Sequence, residues 1–122
     1  MLIAALLLAL HGGHSHSALD ISGPVKEYVT VPARAEQIIA VNKEMIDGEA
    51  AFESLVDRIR KRLADANDQR LASREAFAQA FASYDREHAA ARERSLNLRF
   101  AMRELMTAEE WRNVFAAASK AE

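Results

Sequence analysis

The sequence predicts an all-α protein, built as a long antiparallel helical hairpin with a short C-terminal helix. Apolar and small residues recur in alternating steps of four and three along two long stretches, and this spacing turns one stripe of each helix toward a partner helix. Both prolines, Pro24 and Pro32, precede residue 33, so the chain after them lacks the residue that most strongly interrupts helices. Turn and capping residues between Asp65 and Ser73 separate the two stretches.

Composition limits the classes of function. The chain has 122 residues, of which 28% are charged, and a net charge of -2, so one small domain without a field that attracts nucleic acid is expected. It has no cysteine, which excludes disulfides, thiolate nucleophiles and thiolate metal sites. The spacing of polar residues shows neither a nucleophile beside a base nor a phosphate-binding loop. We therefore expect a protein that is not an enzyme and that uses no cofactor.

Residues 1–17 are predicted to be a signal peptide. Leu2 to Leu10 form a continuous apolar run, which matches the core of a signal peptide and is too short to cross a bilayer. Ser15 and Ser17 suit the small positions before a cleavage site, and the mature chain would begin near Ala18. The alternative is a frayed apolar helix of a cytoplasmic protein. For a helical, exported chain without cysteine, the periplasm is the predicted location.

Residues 18–32 are predicted to be an extended lead-in or linker. Gly23 and Pro24 form a turn signal, and the stretch from Val29 to Val31 favours extended backbone. Pro32 suits the first turn of a following helix, with Thr30 or Val31 near its N-cap.

The helical domain is predicted to span 33–122, and its first long helix runs from about Ala33 to about Ala66. Gly48 costs about 1 kcal/mol relative to alanine inside a helix. It marks either a bend or a break at which Asp47 caps a second helix. The seven-residue repeat continues in phase across Gly48, which favours one bent helix. The residues that repeat are Ile38, Met45, Phe52 and Ile59.

The second long helix is predicted to run to about Met106, with Asp68 or Ser73 as its N-cap. Antiparallel pairing about a turn near Arg70 places Phe52 opposite His88. Because two helices bury only one side each, a homodimer would complete the core. The stripe comprises Phe77, Phe81, Tyr84, His88, Ala91, Ser95, Leu98, Met102 and Leu105.

A third, short helix is predicted to begin after Thr107. Thr107 and Glu110 have the spacing of a capping box, in which each side chain accepts a hydrogen bond from the other residue's amide. This helix carries Trp111 and Phe115 on one face. These two rings either pack onto the hairpin or present an apolar surface to a partner protein.

Metal ligands are few in this sequence. His88, with Glu49 about one turn away in the predicted register, is a weak candidate for a metal site; the alternative is a polar pair that fixes the register. Three histidines precede the predicted cleavage site and would leave with the signal peptide, namely His11, His14 and His16. Three methionines offer soft ligands for copper(I), although their stripe positions favour core filling, namely Met45, Met102 and Met106.

A basic cluster lies near the predicted turn. Its cations either complement the negative end of the first helix dipole or form a positive hairpin tip. Such a tip would contact acidic segments of client proteins or, peripherally, an anionic membrane surface. The cluster consists of Arg58, Arg60, Lys61, Arg62, Arg70 and Arg74.

An exported helical hairpin followed by Leu105-Met-Thr-Ala-Glu-Glu-Trp111 resembles the Spy/CpxP group of periplasmic stress proteins and the related periplasmic heavy-metal sensors. Those proteins open a helix with a Leu-Thr-x-x-Gln motif. Here Met106 and Thr107 begin the counterpart, Glu110 replaces Gln, and one copy is present.

The resemblance implies a helical dimer that binds unfolded or partner proteins without ATP, as a chaperone or stress adaptor. The alternatives are a metal-responsive sensor and a structural coiled-coil partner of another protein. The sensor branch uses histidine-rich ligand sets, whereas the predicted mature chain retains only His88.

Overall fold

A computed structural model describes residues 19–69 and 73–120. These residues form four α-helices, α1 (Ser22–Tyr28), α2 (Pro32–Asp68), α3 (Arg74–Leu105) and α4 (Ala108–Lys120), and they contain no strand. The prediction of an all-α protein is confirmed. The predicted signal peptide, with its histidines, lies outside the described residues. No described helix is both long and apolar enough to cross a membrane.

The helix α1 corrects the prediction of an extended lead-in. Gly23 and Pro24 lie in its first turn, where proline is tolerated because the amide hydrogen that it lacks would have no partner within the helix. Ile21, Val25 and Val29 are fully buried, at the i, i+4, i+8 spacing of one helix face. Extended backbone appears only from Val29, the C-cap, at φ -98° and ψ 104°.

The helix α2 continues through Gly48 without interruption, so the predicted single helix is confirmed and the alternative break is not found. Pro32 is its first residue, as its preset φ angle favours. The helix ends two residues beyond the predicted boundary, at Asp68.

The start of α3 is fixed by Ser73, one of its two predicted caps. The amide of Ala76 donates to Ser73 Oγ at 3.1 Å, which satisfies one of the amides left open in a first helical turn. Asp68, the other candidate, is the last residue of α2.

The capping box at the start of α4 is confirmed. The amide of Glu110 donates to Thr107 Oγ1 at 3.1 Å, and the amide of Thr107 donates to Glu110 Oε1 at 2.8 Å. Along α4, Val114 and Ala118 are buried.

The chain divides into two compact units. The central unit comprises described residues 50–69 and 73–92, and its buried apolar side chains are Val56, Ile59 and Leu63. Phe52 lies 5.8 Å from the His88 ring, centroid to centroid, so this contact of the predicted register is confirmed.

The terminal unit comprises residues 19–49 and 93–120. In it α1 packs against α4. Asn42 is buried among apolar residues and holds the chain before α1: its Nδ2 donates to the carbonyl of Leu19 at 2.8 Å, and its Oδ1 accepts from the amide of Ile21 at 3.2 Å. The core consists of Ile21, Val25, Val29, Ala35, Ile38, Met102, Met106, Val114 and Ala118.

Candidate functional site

An ion pair between Arg34 and Glu110 stabilises the turn between α3 and α4. Arg34 Nη2 donates to Glu110 Oε2 at 3.0 Å, while Nη1 contacts Oε1 and donates to the carbonyl of Leu105 at 3.1 Å. Arg34 therefore joins the first turn of α2 to the end of α3 and the start of α4. The hydrogen bonds from Arg34, and then from the amide of Thr107, lower the pKa of the Glu110 carboxyl below its ordinary range.

A groove opens at this turn, entirely within the terminal unit. It encloses a volume of about 480 Å³, which lies in the usual range of ligand sites. We call it the arginine–aromatic groove. It is lined by Arg99, Phe100, Arg103, Met106, Thr107, Ala108, Trp111 and Arg112.

Two arginines of this groove lie over aromatic rings that also line it. The guanidinium of Arg99 lies 5.8 Å from the centroid of the Trp111 ring, and that of Arg103 lies 5.9 Å from the centroid of Phe100. Each distance is within the range of a cation–π contact. Trp111 also packs against Phe115, with ring centroids 4.5 Å apart, and both are half-buried against the core. Both rings therefore pack against the core of the terminal unit, while one part of Trp111 lies in the groove wall. That they bind a partner protein stays a prediction.

The groove arginines take no part in the ion pairs that the described residues form within 4.0 Å. The ion pairs among the described residues join Arg34 to Glu110 and Arg60 to Asp57, and neither includes a groove arginine. Arg99 and Arg103 are four residues apart on one helix, an arrangement that destabilises a helix by a few tenths of a kcal/mol. Phe100 is 55% exposed beside them. The groove thus offers guanidinium groups that lie outside these ion pairs, next to apolar surface.

The basic cluster predicted near the turn is a second cationic surface, in the central unit. Arg58, Lys61 and Arg62 are exposed. Arg60 pairs with Asp57 at 3.1 Å. Arg74 is exposed at the start of α3, and Arg70 lies outside the described residues.

The helix dipole does not explain this cluster, so that interpretation is wrong. The last turn of α2 carries no basic residue; it carries Asp65 and Asp68, because the helix extends to Asp68. Dipole effects fade beyond the last turn. The reading of the cluster as a binding surface remains a prediction.

The metal candidates gain no support from the geometry. His88 is exposed, and its ring stacks on Tyr84 with centroids 5.7 Å apart. Within residues 19–69 and 73–120, no three side chains of the types His, Asp and Glu are placed to hold a metal ion together. His88 and Glu49 are among these residues.

The methionines fill the core, as their stripe positions predicted. Met102 and Met106 are buried in it, and Met45 packs against it.

Sequence reasoning identified Trp111 but missed the arginines and Phe100 around it. Arg99 and Arg103 fall on positions beside the heptad stripe, where charged residues are usual on a solvated helix face. The available signal was Phe100, a large apolar residue between two arginines and off the stripe.

Comparison of the chain with protein-family models, with curated proteins and with solved structures finds no match.

Proposed function

We propose that this protein is an ATP-independent binding protein, a chaperone or stress adaptor that holds unfolded or partner proteins. The observation that carries the proposal is the arginine–aromatic groove, where arginines outside the described ion pairs adjoin exposed apolar surface. Unfolded chains expose apolar side chains that folded proteins bury, and an open groove of this kind gives such side chains a surface to contact. Contact of a client with the arginines or with the apolar surface requires neither a nucleotide nor a covalent step.

The proposed architecture is a long antiparallel hairpin of α2 and α3 that assembles as a homodimer. Phe77 and Phe81 of the central unit are only half-buried, and Leu96 of α3 is 51% exposed. A second copy that covered these residues would remove apolar surface from water. The dimer would be seen as twice the monomer mass by light scattering after size exclusion, and a monomer of full helicity would contradict it.

The proposed location is the periplasm, reached through the signal peptide at residues 1–17. The support for this proposal is the apolar run from Leu2 to Leu10 with small residues after it. Export is tested by fractionating cells that express the full chain and by reading the N-terminal sequence of the recovered protein. A periplasmic product that begins near Ala18 is expected, and an uncleaved cytoplasmic product would refute it.

The function is tested by suppression of client aggregation. A denatured client enzyme is diluted into buffer without ATP, and its light scattering is followed with and without the protein at near-equimolar ratio. We expect suppression that albumin at equal mass does not reproduce. If verified folded protein leaves the scattering unchanged, the proposal is wrong.

A pair of matched variants ties this activity to the groove. Phe100→Ser removes an apolar side chain from the groove, and Val31→Ser removes one that is 48% exposed and outside it. Exposed substitutions change the free energy of unfolding by about 0.5 kcal/mol or less. Phe100→Ser is expected to weaken the suppression of aggregation and Val31→Ser to preserve it. Equal losses of suppression in the two variants would show that the groove does not carry this activity.

A further inference from the structure

We propose that the arginine–aromatic groove recognises a class of protein segment, namely extended peptides in which carboxylates alternate with aliphatic side chains. This inference rests on the proposed function, since it names the client feature that the groove selects. It follows from the charge of the groove, from its rings and from the way α4 is packed.

The charge of the groove favours carboxylates. Three guanidinium groups line it, from Arg99 and Arg103 on α3 and Arg112 on α4. A guanidinium presents paired N–H donors that match a carboxylate, and such charge-assisted hydrogen bonds are stronger than neutral ones. The carboxylate of Glu110, at the start of α4, already accepts hydrogen bonds from Arg34 and from the amide of Thr107.

The walls of the groove favour apolar side chains between those carboxylates. Phe100 and Trp111 present ring surface, and Met106 is buried beneath the groove with 8% of its surface exposed. An occupant with charges alone would leave the rings in water, and one with apolar groups alone would leave the guanidinium groups unpaired. A segment that carries both kinds of side chain satisfies both, because each wall of the groove offers guanidinium groups and ring surface: α3 supplies Arg99, Phe100 and Arg103, and α4 supplies Trp111 and Arg112.

The packing of α4 favours a peptide over a membrane surface. A helix that binds a bilayer interface lays an apolar face into the lipid. The apolar face of α4 is already used, since Val114 and Ala118 are buried in the core. What remains accessible is a concave groove about as large as a small-ligand site, which suits a narrow chain.

The single tryptophan of the chain makes binding directly measurable. Trp111 lies in the groove wall, so its fluorescence reports occupancy there. The probe is a peptide of alternating glutamate and leucine without tryptophan or tyrosine, titrated into the full-length protein. The matched control peptide replaces every glutamate with glutamine. Vesicles of phosphatidylglycerol are titrated in parallel.

We expect the glutamate peptide to change the Trp111 emission saturably and to bind about tenfold or more tightly than the glutamine peptide. Arg103→Gln and Arg112→Gln should each weaken binding by a similar factor. Arg92→Gln, at an exposed position of α3 outside the groove, should leave it unchanged. Far-UV circular dichroism verifies that every variant is folded.

Three results would overturn the inference: equal affinity for both peptides, an equal response in Arg92→Gln and the groove variants, or saturable binding to the vesicles alone. The last would assign the groove to an anionic membrane surface. Failure of the proposed function gives a different result from failure of this inference. A protein that binds the glutamate peptide but does not suppress aggregation is a peptide-binding protein without chaperone activity. A protein that suppresses aggregation without binding the peptide keeps its function and loses this specificity.

Discussion

Asn42→Ala should destabilise the protein by releasing the segment before α1. The side chain is 4% exposed and makes two hydrogen bonds, with the carbonyl of Leu19 and the amide of Ile21. Alanine removes both, and it leaves the buried amide of Ile21 and the partly buried carbonyl of Leu19 without a replacement partner from this side chain. A typical hydrogen bond contributes about 0.5 to 1.5 kcal/mol, and a buried group left unsatisfied costs about 1 to 3 kcal/mol. We therefore expect a loss of about 2 to 4 kcal/mol in the free energy of unfolding.

The assay is urea unfolding followed by far-UV circular dichroism, with Asn97→Ala as the matched control. Asn97 is exposed on α3. Both substitutions gain the same helix propensity, about half a kcal/mol or less, so the difference between the variants isolates the buried hydrogen bonds. Hydrogen exchange adds a local readout, since the amides of α1 should lose protection first.

Free energies of unfolding within about 0.5 kcal/mol of each other for Asn42→Ala and Asn97→Ala would contradict a stabilising role of the Asn42 hydrogen bonds. That role is also contradicted if Asn42→Ala lowers stability while the amides of α1 keep their protection relative to the rest of the terminal unit. In that case Asn42 would act by filling space and not by holding the segment.

Three further substitutions, one of them with a matched control, test separate parts of the structure. Gly48→Ala should raise the free energy of unfolding by about 0.5 to 1 kcal/mol in urea titrations, because its added Cβ meets only the end of the Arg94 side chain, at 4.0 Å. Val25→Ala should lower it by about 1 to 2 kcal/mol, as two buried methyl groups are lost from a fully buried site, whereas Lys26→Ala on the exposed face should be nearly neutral. Glu110→Gln should flatten the acid side of the stability profile. The lowered pKa of Glu110 stabilises the folded protein above the ordinary glutamate pKa of about 4.3, and this contribution is lost as pH falls through the folded-state pKa. If the thermal unfolding midpoint of Glu110→Gln falls with decreasing pH as steeply as that of the wild type, Glu110 is not a source of the acid sensitivity.

The long helices were predictable because their signals are local. The alternating steps of four and three along α2 and α3 depend on residues within a few turns. The capping box of Thr107 and Glu110 needs only four consecutive residues. Such patterns act before tertiary packing is known, so the sequence alone carries them.

The helix α1 was missed because a local signal opposed a tertiary one. Gly23 and Pro24 indicate a turn, and seven residues are too few for a stable isolated helix. The helix forms because Val25 is buried against the core and Asn42 binds the chain before it. Asn42 was visible as a polar residue on an apolar stripe, but its partners lie more than twenty positions away in the sequence.

The arginine–aromatic groove was unpredictable for a related reason. Its walls come from the last turns of α3 and the first turns of α4, and the turn between them decides which residues meet. Arg34 fixes that turn from the start of α2 through Glu110 and Leu105. The spacing of Arg99 and Trp111 in the sequence does not show that they approach each other, because their contact depends on the ion pair that Arg34 forms from a distant part of the chain.

The position of the groove has a consequence for the way it would bind. Nine of the buried apolar residues form the core of the terminal unit, whereas the buried apolar residues described in the central unit are Val56, Ile59 and Leu63. The groove stands on the core of the terminal unit, and Trp111 packs there against Phe115. A preformed site avoids much of the ordering cost of association. The arginine side chains that line the groove are long and rotatable, so their donors can reach carboxylates at different spacings. A packed indole ring with movable charges suits recognition of a chemical pattern that many client segments share, more than recognition of one particular sequence.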